Sequence, residues 1–533
     1  MLLSWLILGL NINVLVQAQG TRYGGNRAVT SLDNALVSAN FPDVNVTIYS
    51  PAFLGPGLIP AGFSNGTSGP TDDAVLASFI QDIAQTNDWA SYHGSEIFSE
   101  EGRAIPYLFL SKANTNGSSS KLRIWVQGAA HGNEPASDAA VLALLGRMNV
   151  AQKWTSSLLD LIDIIVLPRY NPDGVSTFQR TLATNFDPNR DHLKLVRQQT
   201  RDIKKRFSSF APHIVVDMHE FTATAVGSGL LQATDTQVSA AKNLNIHSAI
   251  RNLSEELFTP EIFKNLASAG FRGGPYKTSS SSRSPGRLAF EEAGTDGKIG
   301  RNAMGLSQSI TFLVETRGIR IANQHFRRRV ASGLNVLETI LQTAADNHEV
   351  VYNTIETAIT EFAQSTEDII VTDYTELSER VFEMISASNG TRYNVSFPWA
   401  SATPAFANLT RARPSAYIIP PAWADIAALL EVQGLEVSKL STRYTGYIQA
   451  LEIASSSLAS SYYEGAILNT VTTKSIDKYF VDLPEGSFYV STAQKNIGIA
   501  FNVLEPENID SFVSFGIIPQ EEGDIYPIFR VNE

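Results

Sequence analysis

Five short apolar runs fix what this chain can fold into. They occupy residues 107–110, 122–126, 162–167, 214–216 and 310–314. Each is too brief for a buried helix, and their aliphatic and aromatic residues fill successive positions instead of alternating with polar ones. That is how a strand covered on both faces reads. Helical patterns lie between them, such as Ala139, Val141, Leu142, Leu144 and Leu145. Buried strands separated by helices specify an α/β sheet with helices on both sides. The 533 residues are 43% hydrophobic and 18% charged, which supplies a large core and excludes a disordered chain.

The rest of the chain is organised around this block. The first eighteen residues carry no charge, and an apolar run from Leu2 to Leu10 is followed by Val16-Gln17-Ala18, with small residues where a signal peptidase reads. Residues 1–18 are therefore expected to be a secretory signal, with 19–70, rich in Gly, Pro, Ser and Asn, an irregular N-terminal arm. Residues 71–385 form the expected catalytic domain, and after its strand block comes a helix striped by Val330, Leu334, Leu337 and Leu341. Residues 386–414 read as a linker or large loop. Strand-like runs at 415–419, 480–482, 487–490 and 497–501 suggest a smaller β-rich C-terminal domain over 415–533.

Composition removes several function classes. The net charge of −12 disfavours sequence-blind binding to nucleic acid, which needs clustered Lys and Arg. Cysteine is absent, so disulfides, thiolate catalysis and cysteine-ligated metals are excluded. Seven Asn-x-Ser/Thr triplets begin at Asn45, Asn65, Asn116, Asn252, Asn389, Asn394 and Asn408. Together with the signal-like start they point to a secreted, N-glycosylated protein with no membrane anchor.

The chemistry-bearing residues follow the strands. After 122–126 comes Gly128-Ala129-Ala130-His131-Gly132-Asn133-Glu134-Pro135. An imidazole at a strand end and a carboxylate three residues on, where Pro135 opens a helix, can converge on one zinc ion. A third ligand is needed, and His219 ends the 214–216 strand run, 88 residues after His131. Of the eight histidines, only His131 and His219 end apolar strands beside acidic residues. Glu315 ends another buried strand, where a carboxylate requires a partner or a task. It is a candidate general base for the attacking water; the bland alternative is a structural ion pair with Arg317 or another arginine. Arg180 and Arg190 are candidates for oxyanion and carboxylate binding, because a guanidinium fork matches a carboxylate. Asn171-Pro172-Asp173-Gly174 is a turn by its chemistry.

In this order, His131-Gly-Asn-Glu134, Asn171-Pro-Asp-Gly174, Arg180, Asn189-Arg190, His219 and Glu315 resemble the zinc metallocarboxypeptidases, the carboxypeptidase A-like enzymes. The resemblance covers roughly residues 71–345. It implies a mixed, mostly parallel eight-stranded sheet with helices on both faces. It implies one Zn2+ held by His131, Glu134 and His219, with Glu315 as base and proton shuttle. Asn189 and Arg190 would grip a terminal carboxylate, and Arg180 would polarise the scissile carbonyl. The family usually places a substrate-closing tyrosine upstream of the catalytic glutamate, but no tyrosine lies between Lys277 and Glu315, and Tyr276 is 39 residues away. That role is left unassigned, with Arg301 in part of the region.

The leading expectation is a secreted zinc exopeptidase acting on peptides or amino-acid conjugates with a free carboxylate. An aspartoacylase-like zinc amidohydrolase acting on N-acyl amino acids is the alternative, because His-Gly-Asn-Glu and Asn-Arg resemble that group too. A catalytically inactive secreted binding protein of the same fold ranks last, since ligands, clamp and base are all intact. A Gly-x-Ser-x-Gly elbow is absent, and Ala223 stands where a His-Glu-x-x-His helix needs its second histidine.

Overall fold

The computed structural model describes residues 31–54, 71–113, 120–227, 229–280, 286–292 and 294–532. The expected signal segment 1–18 and the triplets at Asn65 and Asn116 lie outside these residues.

An eight-stranded sheet forms the centre. In chain order its strands are β1 (Ala90–His93), β2 (Tyr107–Leu110), β3 (Leu122–Gly128), β4 (Ile162–Leu167), β5 (Ile214–Thr222), β6 (Thr236–Ala240), β7 (Gly273–Pro275) and β8 (Ile310–Ile319). They lie in the order β1-β2-β4-β3-β5-β8-β6-β7. Four of the seven pairings are parallel (β4–β3, β3–β5, β5–β8 and β6–β7). The expected mixed, mostly parallel sheet is the one observed.

The helices include α1 (Asp73–Thr86), α2 (Pro135–Val150), α3 (Pro172–Thr177), α4 (Gln198–Phe210), α5 (Phe326–Asp346) and α6 (His348–Gln364). Successive strand residues point to opposite faces, so each central strand feeds two cores. Ile124, Val126, Ile164, Val166, Ile214 and Val216 pack with α1, α2, α5 and α6. Trp125, Ile165, Leu167 and Val215 pack with Ile203 and Phe207 of α4. That two-sided burial is why the strand runs carry no polar alternation. The predicted stripe of Val330, Leu334, Leu337 and Leu341 lies on α5, which packs beside α2 on one face of the central strands.

The arm is packed where it is described. Asp33 makes a two-pronged pair with Arg317, at 2.7 and 2.8 Å, and Arg317 stands over the Phe41 ring. Arg317 is thus occupied by Asp33 and not by Glu315.

Two expectations about the second half need correction. Residues 386–414, read as a linker or large loop, instead contain strands Arg392–Ala400 and Phe406–Arg411. The first pairs with Leu377–Ser386 and, in parallel, with Ala289–Glu292 in a five-stranded sheet. Its polar half is exposed and its Phe397-Pro398-Trp399-Ala400 end is buried, so the composition reflects an open strand face. Residues 497–501, read as a strand, lie in a buried helix, Ile497–Val503. A continuous short apolar run has no period to tell strand from helix.

A β-rich C-terminal region is present. Its six-stranded sheet includes the long hairpin β9 (Tyr444–Tyr463) and β10 (Ala466–Leu483).

Candidate metal centre

Strands β4, β3, β5 and β8 lie side by side and point the same way, so their carboxyl ends share one edge of the sheet. Loops from that edge converge there. After β3 the chain reverses at Ala129, with φ of 51°, and enters α2 with Pro135 in its first turn. Ser137 on α2 accepts from the Ala129 amide and donates to the Glu134 carbonyl, fixing the reversal that carries His131 and Glu134.

The loop after β4 is bound to this one. The amides of Tyr170 and Asn171 donate to the carbonyls of Gly128 and Ala129. The Asn171 side chain caps α3 at the Gly174 amide and donates to Thr181 O at 3.0 Å. Asp173 accepts from Ser99 and Arg103. The Asn-Pro-Asp-Gly turn is therefore scaffold: it fixes the loop that goes on to Arg180 and Asn189.

The donor atoms of His131, Glu134 and His219 lie within 4.8 Å of one another, and all three residues are buried. The two Nδ1 atoms are 3.1 Å apart. Glu134 Oε1 is 2.7 Å from Nδ1 of His131, and Oε2 is 2.9 Å from Nδ1 of His219. Ligands arranged tetrahedrally about zinc are themselves roughly 3.3 Å apart. Two facing imidazole nitrogens with a carboxylate between them form a natural cation site, since a divalent ion removes their competition for a proton. The far nitrogens are fixed by carboxylates. His131 Nε2 is 3.0 Å from Asp187, and His219 Nε2 is 3.0 Å from Asp217. Such carboxylate partners hold a metal-binding imidazole in the right tautomer and orientation. Gln127 donates to Asp217 at 2.9 Å and accepts from Trp125 at 2.8 Å, which extends the support into the sheet. Burial would raise the Glu134 carboxyl, but the imidazoles of His131 and His219 outweigh it and hold it well below the usual carboxylate range.

Sequence reading missed Asp187 and Asp217. Asp217 carried a usable signal, because positions two apart on a strand share a face, and His219 is two residues on. Asp187 carried none, as its loop has no period.

Glu315 is placed by register, since it pairs directly with His219 across the parallel β5–β8 ladder. Paired residues project to the same face of a sheet, and Oε2 of Glu315 is buried with no hydrogen-bond partner. Burial pushes its carboxyl up to about 8, and nearby Glu134 adds to the rise. A divalent ion would pull it back down, because positive charge favours the carboxylate.

Arg180 sits on the other side. Its Nε donates to Asp187 at 2.9 Å, and its Nη1 lies 3.6 Å from Glu134. Asn189 accepts from the Gly300 amide at 2.7 Å, and its carbonyl accepts from Arg190. His131, Glu134, Arg180, Asn189, Arg190 and Glu315 line one cavity of about 650 Å³. Tyr276 and Arg301 line it as well. The tyrosine nearest in sequence to Glu315 on its upstream side thus reaches the same cavity, although 39 residues separate the two.

A buried His-Glu-His cluster at the carboxyl edge of such a sheet is a donor set that suits a metal-dependent hydrolase. The sequence profile of the zinc carboxypeptidase family matches residues 78–227. The chain is 52% identical to Carboxypeptidase 2 of Trichophyton equinum, over 97% of each chain. It is 51% identical to Carboxypeptidase 2 of Trichophyton rubrum, over 99% of each. Among solved structures, the metallo-carboxypeptidase from Burkholderia cenocepacia aligns over 52% of this chain and 70% of its own, at 18% identity and a TM-score of 0.39. The chain belongs to the zinc carboxypeptidase family, and it is a metallocarboxypeptidase.

Proposed function

We propose that this metallocarboxypeptidase is a secreted exopeptidase that removes C-terminal residues from peptides. The observation that carries the reading is the convergence of His131, Glu134 and His219, with the unpartnered Glu315 oxygen in the same cavity as Arg180 and Arg190. His131, Glu134 and His219 would hold a single zinc ion. Bound there, zinc would lower the pKa of a water and polarise the scissile carbonyl.

The chain's own groups supply the rest. Glu315 takes the proton of the attacking water and passes it to the leaving amine. The bond between the scissile carbonyl carbon and nitrogen breaks, leaving a new carboxylate and a free amino group. Arg180, anchored on Asp187, presents its remaining N–H groups to the oxygen on which negative charge develops. Arg190, steadied by the Asn189 carbonyl, pairs with the substrate's terminal carboxylate. Asn189 is itself fixed by the Gly300 amide, which sets the distance between clamp and scissile bond.

The likeness to proteins named carboxypeptidases, over 97% and 99% of the chain, does not favour the amidohydrolase alternative. The intact cluster and base likewise do not favour an inactive binding protein. A catalytic domain over 71–385 followed by a β-rich region over 415–533 remains our reading; the 377–400 hairpin runs across residue 385 and joins the segment between them to the first. Secretion rests on the apolar start and the glycan triplets. The described triplet residues Asn45, Asn252, Asn389, Asn394 and Asn408 are all exposed, as glycan attachment requires. Among the described residues no helix is long and apolar enough to cross a membrane.

The deciding experiment combines metal analysis with a peptide panel. One equivalent of zinc, loss of activity on chelation, and strong preference for free over amidated C-termini are expected. Equal cleavage of amidated peptides would refute the Arg190 clamp.

A further inference from the structure

The β9–β10 hairpin is an unusual use of chain. It runs 20 residues out and 18 back; one face of its distal half is exposed, and on the other Asn469 and Val471 are buried, Asn469 bonded to Ser514 and Gln520. Leu458 and Tyr462 are 67% and 73% exposed. A two-stranded ribbon gains little by itself in water, and beyond Asn469 this one reaches past the segment that covers its inner face to a further contact at its tip. That contact is with the loop that supports the metal centre.

The tip is Glu464-Gly465, with φ of 44° and 92°. Positive φ at both central residues is what a type I′ hairpin turn requires. Glu464 Oε2 accepts from the Asp187 amide at 2.9 Å. The Glu464 carbonyl accepts from Lys194, whose ammonium also lies over the Phe186 and Phe515 rings. Gly465 is pressed on the Phe186 ring so closely that a Cβ there would stand 2.5 Å from it. The residue held from both sides is Asp187. Its side chain meets His131 Nε2 at 3.0 Å and Arg180 at 2.9 Å, and it caps the Asn189 amide at 2.8 Å.

We propose that Glu464 is a positioning residue for the active site. Through the Asp187 amide it fixes the loop that orients a metal-ligating imidazole, the oxyanion arginine and the carboxylate clamp. The hairpin is the means by which the C-terminal region completes the catalytic centre. The proposal rests on the metal site and residue roles proposed above.

The test compares the full-length protein with Glu464→Ala and Glu464→Gln. Zinc affinity is measured by chelator competition, and kcat and KM on a peptide with a free C-terminus; thermal unfolding is followed in parallel. His131→Ala serves as the control for the metal site. Glu464→Ala is expected to weaken zinc binding and lower kcat/KM, each by about tenfold, the scale of losing an outer-shell partner. Its thermal midpoint should stay at the wild-type value. Glu464→Gln is expected to restore both, because the amide oxygen accepts the same Asp187 N–H. The proposal is overturned if Glu464→Ala keeps wild-type zinc affinity and kcat/KM. It is equally overturned if the Gln variant is as impaired as the Ala variant, or if only the thermal midpoint falls. Zinc binding that survives in His131→Ala would instead refute the metal site itself.

Discussion

Gly132→Ala is the sharpest single test of how the centre is built. A Cβ on Gly132 would stand 1.9 Å from the Gly174 carbonyl carbon, 2.2 Å from Val175 N and 2.3 Å from Gly174 O. Ordinary carbon contacts begin near 3.5 Å, so the two loops must part by roughly 1.5 Å. The opposing atoms are backbone, and no flexible side chain can swing aside. Overpacking of this kind destabilises by about 1–3 kcal/mol, and a backbone obstacle argues for the upper end. That leaves a protein of ordinary stability folded. The displacement falls on the residue next to His131. A shift of about 1 Å in a positioned group lowers turnover on the order of 100-fold. The assay measures kcat/KM on a C-terminal peptide, zinc affinity by chelator competition, and urea unfolding. A loss of both zinc affinity and turnover in a folded protein is expected. Wild-type zinc affinity and turnover in Gly132→Ala would refute the claim that backbone contact between the two motif loops sets the position of His131.

Two further outcomes are expected. Glu315→Gln should retain zinc yet lose turnover by about 10²–10⁴-fold, the contribution of a positioned general base; near-normal turnover would remove Glu315 from that role. The Asp33 carboxyl lies at about 2, below its ordinary 3.8, because hydrogen bonds from His325 and Arg317 outweigh the burial that would raise it. A lowered carboxyl contributes stability above its ordinary value and loses it as pH falls through about 2. The stability gap between wild type and Asp33→Asn should therefore be full at pH 5 and shrink between about pH 4 and 2 in urea titrations. A gap that does not change with pH would disprove the pairing with Arg317.

The legible parts of this protein are those whose physics is local. Strands covered on both faces announce themselves as apolar runs, and that was enough for five of the eight strands of the central sheet. His131, His219 and Glu315 were visible because each interrupts such a run at its end. Tertiary contacts were not visible. Nothing in Asp187 marks it as the partner of both His131 and Arg180, since those contacts join loops from different strands. Tyr276 could not be linked to Glu315 by spacing, because the chain makes an excursion through a second sheet before returning. Residues 386–414 misled because an open strand face shares its polar composition with a loop. The helix at 497–503 misled because a short segment buried all round has no periodicity to read.

The register between β5 and β8 has a consequence for how such enzymes can grow. His219 and Glu315 are neighbours because two central strands are aligned, not because the intervening chain has a particular length. Residues 223–309 can therefore lengthen, shorten or acquire strands of their own while the distance from His219 to Glu315 stays the same. In this protein that stretch carries part of a second sheet and a wall of the substrate cavity. Selectivity can diversify there by insertion, with the hydrolytic machinery inherited unaltered.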